Sequence, residues 1–398
     1  MKKQRRLLAY LLAGMLALIG CGQESKEQQE QPPANTTQQQ EILPSQPEPS
    51  QQTEPQPLQP EAQTPQQRAQ QVLDGMTIEQ QVEQMFFLRF PQKNWQQVTQ
   101  QYQPGGFILF GVDFKDRTPD EVREVIESCQ QEAAVPLLMG VDEEGGTVVR
   151  VSKYPQYRAV PFWSPHDLYA EGGLELVRSD TEEKAALLRS LGLNVNLAPV
   201  CDVANSPEDY IYPRTLGASV QETADFVRTV VEQSSASGVG SVLKHFPGYG
   251  GNADTHTGLS YDTRTLDELR QRDLIPFQAG IDAGAGAVLV SHNILPQVGG
   301  ELPASLSPEI HRILREELGF TGVIMTDDLD MGAISQYTDG KAAAVQAVLA
   351  GNDLLICTDY ATQIPAVIEA VESGEIPPER IAEGALRVLT WKAQLGLI

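Results

Sequence analysis

Short apolar segments alternate with amphipathic ones along most of this 398-residue chain. The apolar segments predict β-strands near residues 85–90, 106–111, 136–142, 194–203, 239–246, 287–293, 322–327 and 353–358. The run Ala287-Val288-Leu289-Val290 has no polar face, which is typical of a strand buried on both sides in a parallel sheet. Between strands, signals such as Thr118-Pro119-Asp120 mark helix starts. Strands alternating with helices predict an α/β fold, a (β/α)8 TIM-type barrel, with a doubly wound open sheet as the alternative.

The N-terminal pattern is different and resembles a bacterial lipoprotein signal. Four basic residues, Lys2, Lys3, Arg5 and Arg6, precede an apolar run at residues 7–19. This run is shorter than the ~20 residues that span a bilayer as a helix. The run ends in Leu18-Ile19-Gly20-Cys21, which resembles a lipobox. We expect residues 1–20 to be a signal peptide and Cys21 to be lipidated, which would anchor an exported protein to a bacterial membrane. An ordinary signal peptide with an incidental cysteine is the alternative.

A polar segment follows, rich in Gln, Pro, Glu, Ser and Thr. With almost no large apolar side chains it cannot bury enough surface to offset its chain entropy, so residues 21–67 are predicted to be a disordered tether. From residue 68 to 398 the composition does not shift again, and no short repeat is found. We therefore expect one barrel domain over 68–398.

Charge and cysteine content exclude several classes. The chain carries 53 acidic and 29 basic residues, a net charge of −24, which argues against nucleic-acid binding. Four cysteines are too few for a disulfide scaffold. Cys129, Cys201 and Cys357 lie in apolar segments and are expected to be buried thiols.

Polar residues gather where the predicted strands end. Active sites of barrels lie at the carboxyl ends of their strands, so these residues are expected to share one pocket. They are Asp142, Asp202, Lys244, His245, Ser291, His292, Asn293, Thr326, Asp327 and Asp328. A lone polar residue at a strand end is usually a cap, but five such strands indicate an enzyme.

Several chemistries lack their signals. There is no G-x-S-x-G elbow, and Gly248-Tyr249-Gly250-Gly251 lacks the Lys-Ser/Thr that follows in a phosphate-binding loop. The spacing of Asp202, His245, His292 and Asp327 gives no specific support for a metal site. We therefore expect no metal and no cofactor.

Carboxylate chemistry on a neutral sugar remains, which requires a nucleophile and a proton donor. Asp327 is the best candidate for the nucleophile because it ends a predicted strand. In Asp254-Thr255-His256 the carboxylate could orient the imidazole for proton transfer. A polar loop with a capping Asp is the simpler interpretation of that motif taken alone.

The motifs then resemble a known family. Lys244-His245-Phe246-Pro247-Gly248-Tyr249-Gly250, followed by Asp254-Thr255-His256, resembles the signature of glycoside hydrolase family 3, and more specifically its single-domain β-N-acetylglucosaminidase branch. Similar blocks lie at residues 73–77, 104–110, 142–146, 198–203, 213–217 and 322–331. The resemblance extends over roughly residues 72–398.

The resemblance implies a role for each matching residue. Asp327 would be the nucleophile, and His256, oriented by Asp254, the acid and then the base. The residues that hold the sugar would be Asp142, Arg214, Lys244 and His245. The implied activity is the exo-acting removal of β-linked N-acetylglucosamine from peptidoglycan or chitin-like fragments, with retention of configuration. We expect the protein to be a monomer.

The chain also departs from the family pattern. Tyr249 replaces a histidine, and the loop before Asp254 is about one residue shorter than in the family. The alternatives are a β-glucosidase or a glycoside phosphorylase of the same family, or a non-catalytic glycan-binding lipoprotein.

Overall fold

Parallel strands form the centre of the molecule. The computed structural model describes residues 63–204, 206–252 and 258–398, and the strands below are those of this part of the chain. They are β1 Phe86–Arg89, β2 Gly106–Leu109, β3 Leu138–Val141, β4 Glu143–Gly145, β5 Val148–Val149, β6 Val195–Asn196, β7 Gly240–Phe246, β8 Ala287–Val290, β9 Val323–Thr326 and β10 Leu355–Cys357.

Eight of these strands make one sheet in the order β10-β1-β2-β3-β6-β7-β8-β9, and every paired neighbour is parallel. The two ends of the sheet meet, because Met325 of β9 bridges Leu354 just ahead of β10. The Thr326 N–H donates to the Leu354 carbonyl over 3.1 Å at the same place. The predicted barrel is confirmed, and the open-sheet alternative is wrong.

Helices follow the barrel strands along the chain. They are α1 Pro65–Asp74, α2 Ile78–Gln84, α3 Trp95–Tyr102, α4 Gly111–Phe114, α5 Pro119–Glu132, α6 Pro165–Ser190, α7 Val220–Ala236, α8 Leu266–Gln271, α9 Leu274–Asp282, α10 Pro308–Arg312, α11 Gly332–Tyr337, α12 Gly340–Ala350, α13 Tyr360–Glu372 and α14 Pro378–Gln394. Short 3₁₀ turns lie at Tyr212–Arg214 and Ala304–Leu306, and a π turn at Ile313–Glu317. Gly173 breaks α6 with non-helical dihedral angles.

Local sequence explains many helix starts. In α1, α2, α5, α7 and α8 a Ser or Thr accepts a hydrogen bond from the third helical N–H, and the Gln or Glu there binds back to the cap. The capping box formed by Thr64 and Gln67 starts α1 at Pro65, three residues ahead of the expected domain boundary at residue 68. Arg68 donates to the carbonyls of Ala393 and Ile398, which ties α1 to α14. The predicted signal peptide, Cys21 and most of the predicted tether lie outside the described residues.

The sheet is buried on both faces, as the apolar runs predict, and its central strands contain no exposed position from β6 to β9. The expected strand at 194–203 is much shorter than predicted. Only Val195–Asn196 pairs continuously, because Pro199 lacks an amide proton and only Val200 bridges β7 again. The hairpin β4–β5 was not predicted.

The three described cysteines are buried and form no disulfide, as expected. Burial raises the pKa of the Cys129 thiol to about 12. Among the described helices, none is both long and apolar enough to cross a membrane.

Candidate active site

The carboxyl ends of the strands surround a cavity of about 610 Å³. Six residues that the sequence singled out line it: Asp142, Arg214, Lys244, His245, Asp327 and Asp328. They lie at the carboxyl ends of β3, β7 and β9 and in the turn at Tyr212–Arg214. The barrel closes these distant segments around one space large enough for a sugar.

Lys244 and Arg214 are held by a carboxylate that the sequence analysis did not single out. Glu144 accepts from Lys244 Nζ over 2.6 Å and from Arg214 Nε and Nη2 over 3.0 and 2.7 Å. Lys244 Nζ also donates to Asp142 Oδ1 over 2.6 Å. Lys244 is therefore fixed between two carboxylates, and Arg214 is held by a bidentate pair.

Charge pairing keeps this network ionised. Burial alone would raise the pKa of Glu144, but the Lys244 ammonium and the Arg214 guanidinium outweigh it and hold the pKa well below its usual range. Burial would likewise lower the pKa of Arg214, whereas Glu144, Asp142 and Asp202 raise it overall. The site thus presents fixed charged donors and acceptors to a neutral, hydroxyl-rich ligand.

His245 is held in one tautomer. Its Nδ1 lies 2.8 Å from Asp202 Oδ2, and its Nε2 lies 3.1 Å from Arg214 Nη2. The guanidinium can only donate, so Nε2 accepts and Nδ1 carries the proton that it donates to Asp202. Asp202 also accepts from the Tyr249 N–H over 2.6 Å, so it links His245 to the loop after β7.

Asp327 is half-buried at the end of β9. Its N–H donates to the Val290 carbonyl over 3.2 Å, and its Oδ1 accepts from the Asp328 N–H over 2.8 Å. These bonds orient the carboxylate into the cavity that Asp327 lines. A strand-end carboxylate held by its own backbone is placed as a nucleophile requires.

Asp328 lines the same cavity but has a different environment. Its carboxylate accepts from the Thr358 hydroxyl over 2.7 Å and from the Asp330 N–H over 3.0 Å. Burial raises the pKa of Asp328 to about 6, and the nearby charges of Asp330 and Asp327 add to the shift. The contacts place Asp328 as a brace for the turn that follows β9.

His292 supports this turn from below and is fully buried. Its Nε2 lies 3.0 Å from the Asp328 carbonyl oxygen, which can only accept, so Nε2 carries the proton. Its Nδ1 then accepts from the Ser305 hydroxyl over 2.8 Å. His292 thus holds the backbone beside Asp327, and it does not line the cavity.

The predicted proton donor His256 and its partner Asp254 lie outside the described residues, and both flanks of their segment are anchored. Arg264 donates to the Gly248 carbonyl over 2.9 Å and to both Asp262 oxygens. It also pairs with Asp273 over 2.6 Å. One guanidinium therefore connects the chain before residue 253 to the chain after residue 257.

Glu143 is a second residue that the sequence analysis did not single out. This buried carboxylate accepts from the N–H groups of Arg150, Val151 and Ser152 over 2.8, 2.7 and 3.1 Å, and from the Ser152 hydroxyl. Asn196 binds its backbone on both sides. The run of acids directly after β3 was the signal in the sequence, since a buried Glu needs partners.

No group of three His, Cys, Asp or Glu side chains within the described ranges is arranged to hold a metal ion. The candidate set Asp202, His245, His292 and Asp327 is not brought together as one cluster. Asp202 and His245 bind each other, whereas His292 faces Ser305 and the Asp328 backbone.

Comparison with known proteins agrees with this geometry. Residues 77–391 match the model of the glycosyl hydrolase family 3 N-terminal domain. The chain belongs to glycosyl hydrolase family 3. It is therefore a glycoside hydrolase, as the motifs around Lys244 and Asp327 predict.

Several named relatives and solved structures are similar to this chain. A β-hexosaminidase of Xanthomonas campestris pv. campestris (strain B100) is 40% identical over 300 residues, which are 74% of this chain and 84% of the relative. A solved family 3 β-N-acetylglucosaminidase from Paenibacillus sp. str. FPU-7 superposes with a TM-score of 0.76 at 32% identity, over 81% of this chain and 63% of the other. A β-N-acetylhexosaminidase from Beutenbergia cavernae gives a TM-score of 0.71 at 27% identity, over 79% and 98%.

Proposed function

We propose that this family 3 hydrolase removes β-linked N-acetylglucosamine from the ends of peptidoglycan or chitin-like fragments, with retention of configuration. One observation carries the proposal: Asp327 ends β9 at a sugar-sized cavity that the fixed pair Lys244–Asp142 also lines. The name of the Paenibacillus relative supports N-acetylglucosamine as the sugar removed, and that of the Xanthomonas relative supports a β-linked hexosamine.

The sugar is bound by the charged network. Asp142 accepts from its hydroxyls, and Lys244 and Arg214 donate to them from positions fixed by Glu144. His245 completes this wall in the tautomer set by Asp202. Because these groups are ordered before substrate arrives, little conformational entropy is lost on binding.

The chemistry then follows the two-step course of retaining glycosidases. The Asp327 carboxylate attacks the anomeric carbon while His256, oriented by Asp254, protonates the departing glycosidic oxygen. Water next attacks the glycosyl–Asp327 ester, and the same imidazole removes its proton. The sugar leaves with its original configuration, and Asp327 is regenerated.

The assignment is tested with an aryl β-N-acetylglucosaminide. Asp327→Asn should lower kcat by about 10⁴-fold or more, because the nucleophile is lost. Asp330→Asn is a matched control, since this exposed carboxylate lies on the same turn and accepts from the Asp359 N–H. A 5-fluoro glycosyl fluoride should label Asp327, as read by peptide mass spectrometry. Undiminished turnover in Asp327→Asn would refute the assignment.

The family alternatives are separated with the same enzyme. A β-glucosidase would turn over the glucoside faster than the N-acetylglucosaminide, and a phosphorylase would release a sugar phosphate when phosphate is added. A non-catalytic glycan-binding protein would turn over neither. We expect a hydrolase that prefers the N-acetylglucosaminide and is indifferent to phosphate.

We also propose that the enzyme is exported and lipid-anchored at Cys21, on the strength of the lipobox-like sequence Leu18-Ile19-Gly20-Cys21. The full chain expressed in a bacterium should enter the detergent phase of Triton X-114 and incorporate a labelled fatty acid. Cys21→Ala should abolish the labelling. Labelling that persists in Cys21→Ala would show that the lipid is attached elsewhere.

A further inference from the structure

A buried aromatic side chain in the loop after β7 has no part in the mechanism above. Tyr249 stands where the family pattern has a histidine, and it is buried although it lies in a loop. The glycines on either side, Gly248 and Gly250, have φ angles of 117° and 61°. A Cβ at either position would lie 2.6 Å from the side chain of Asp273 or Arg264. The two glycines therefore allow the tight course of the chain that carries the Tyr249 ring into the protein.

The Tyr249 ring packs against the histidine of the proposed sugar-binding network. The ring centroids of Tyr249 and His245 lie 5.6 Å apart at an interplanar angle of 76°, which is an edge-to-face contact. The Tyr249 N–H donates to one oxygen of Asp202, and the other oxygen lies 2.8 Å from His245 Nδ1. His245 is thus held from two directions, by a carboxylate and by a ring. The bond to Asp202 comes from the backbone, so a substitution of Tyr249 tests the ring alone.

The same ring packs against the segment that carries Arg214. The buried apolar cluster at this place comprises Ala204, Ile211 and Tyr249, with Tyr212 packed against it. The Arg214 N–H donates to the Ile211 carbonyl over 2.9 Å, which ties the backbone of the arginine to this cluster. Tyr249 therefore connects His245 to the turn from which the Arg214 side chain extends.

These contacts bear on one hydrogen bond of the site. Arg214 Nη2 lies 3.1 Å from His245 Nε2, and both side chains line the cavity. The two residues are 31 positions apart in sequence, so nothing local fixes the distance between their backbones. The Tyr249 ring packs between the two segments and sets this distance. Because protein interiors are close-packed, removing such a ring leaves a void into which both segments can shift.

We propose that Tyr249 is a positioning residue for sugar binding, whose ring holds His245 and Arg214 where they meet the hydroxyls of the bound N-acetylglucosamine. Tyr249 does not line the cavity, so it acts through these two residues. The inference rests on the proposed function, in which His245 and Arg214 bind the sugar. The nucleophile Asp327 ends β9, two strands away from β7 in the sheet, so loss of the ring should weaken binding and spare the chemical step.

Steady-state kinetics with an aryl β-N-acetylglucosaminide test this role. Tyr249→Ala should raise KM about tenfold and change kcat less than about threefold, because binding is lost in the ground state and the transition state alike. The inhibition constant of free N-acetylglucosamine should rise by a similar factor. Tyr249→Phe keeps the ring and should restore both values to within about twofold of the wild type.

Tyr102→Ala is the matched control for lost stability. Tyr102 also belongs to a pair of tyrosines, with its ring centroid 5.3 Å from that of Tyr360, and it does not line the cavity. This variant should be less stable than the wild type in thermal unfolding but keep KM within about twofold. Both alanine variants are assayed well below their melting temperatures, so that a change in KM does not come from unfolded protein.

A double-mutant cycle with His245→Ala tests whether the ring acts through the histidine. In the His245→Ala background, Tyr249→Ala should raise KM by less than about threefold, although it raises the wild-type KM about tenfold. Two factors that multiply in full would refute the proposal, because the ring and the histidine would then act independently.

The remaining outcomes separate this inference from the proposed function. If the wild type cleaves the N-acetylglucosaminide and Tyr249→Ala keeps the wild-type KM, the positioning role is refuted while the proposed function stands. A Tyr249→Phe variant as impaired as Tyr249→Ala also refutes it, as does a fall in kcat at unchanged KM. If the wild type cleaves no N-acetylglucosaminide at all, the proposed function fails and this inference fails with it.

Discussion

Replacing Glu144 with Gln should destabilise the fold strongly, although the residue is an acid among several acids. Its carboxylate is buried and faces Lys244 Nζ at 2.6 Å and Arg214 Nη2 at 2.7 Å. Two unit charges 2.6 Å apart attract by about 6 kcal/mol at an effective dielectric constant of about 20. Desolvation costs several kcal/mol per ion, so most of this gross attraction is offset when the network forms.

Breaking the pair is a different matter, because the variant leaves buried cations without their partner. Glutamine offers one acceptor and an NH₂ group that would face the donors of Lys244 and Arg214. We expect Glu144→Gln to lower the free energy of unfolding by about 3 kcal/mol at pH 7, within the range for removing one partner of a buried pair. The carboxylate of the exposed pair Arg158–Glu183 is a control. Glu183→Gln should cost less than about 1 kcal/mol.

Urea unfolding followed by tryptophan fluorescence measures both variants, since the chain has three tryptophans. The pH dependence has a defined sign. The folded pKa of Glu144 is depressed below its unfolded value, so its contribution is present above about pH 4.5 and is lost as pH falls below that. The difference between wild type and Glu144→Gln should therefore be constant from pH 8 to about 5 and shrink at lower pH. A cost below 1 kcal/mol, or one equal to that of Glu183→Gln, would refute the reasoning.

Other changes give equally specific expectations. Burial raises the folded pKa of Asp328 to about 6, so its ionisation opposes folding. Relative to Asp328→Asn, the free energy of unfolding of the wild type should fall by about 1–3 kcal/mol as pH rises from 4 to 7. Urea titrations that show no such trend would contradict this. Arg264→Met removes the ion-pair partner of two buried carboxylates and should lower the free energy of unfolding by about 3–5 kcal/mol. Arg270→Met breaks only exposed pairs and should lower it by less than about 1 kcal/mol. Equal melting temperatures of the two variants would contradict this. Asp202→Asn should no longer fix the His245 tautomer and should lower kcat/KM at least about tenfold, with KM rising. Unchanged kinetics would refute this positioning role of Asp202.

Periodicity alone predicted the parallel strands of an α/β fold, because a strand buried on both faces must be apolar throughout. The run Ala287-Val288-Leu289-Val290 therefore identifies β8 within narrow limits. Periodicity left open whether the sheet closes into a barrel, which the bridge between Met325 and Leu354 decides. Where the chain leaves regular pairing, the pattern fails. At 194–203 the residues are apolar, yet Pro199 prevents continued pairing, and the hairpin β4–β5 has no alternating pattern that would indicate it.

The site likewise contains residues that the sequence identified and one that only the structure showed. Strand-end position and the family motif pointed to Asp142, Lys244, His245 and Asp327, and all of them line the cavity. Glu144 belongs to the same motif as Asp142, but the sequence assigned it no role. Its partner Arg214 lies 70 positions later, and nothing in the sequence shows that the two side chains bind each other.

The sequence by itself thus determined which residues carry charge, where most of the barrel strands lie and which family the motifs resemble. These properties are local, since they depend on side-chain chemistry and on short periodicities. Only the tertiary structure decided which charges are matched and which are not. Glu144 pairs directly with Lys244 and Arg214, whereas Arg89 rests on the Phe110 ring and acts on Asp113 without a direct ion pair among the described residues. Charge pairing depends on distances of a few ångströms between segments far apart in the chain, and barrel closure sets those distances.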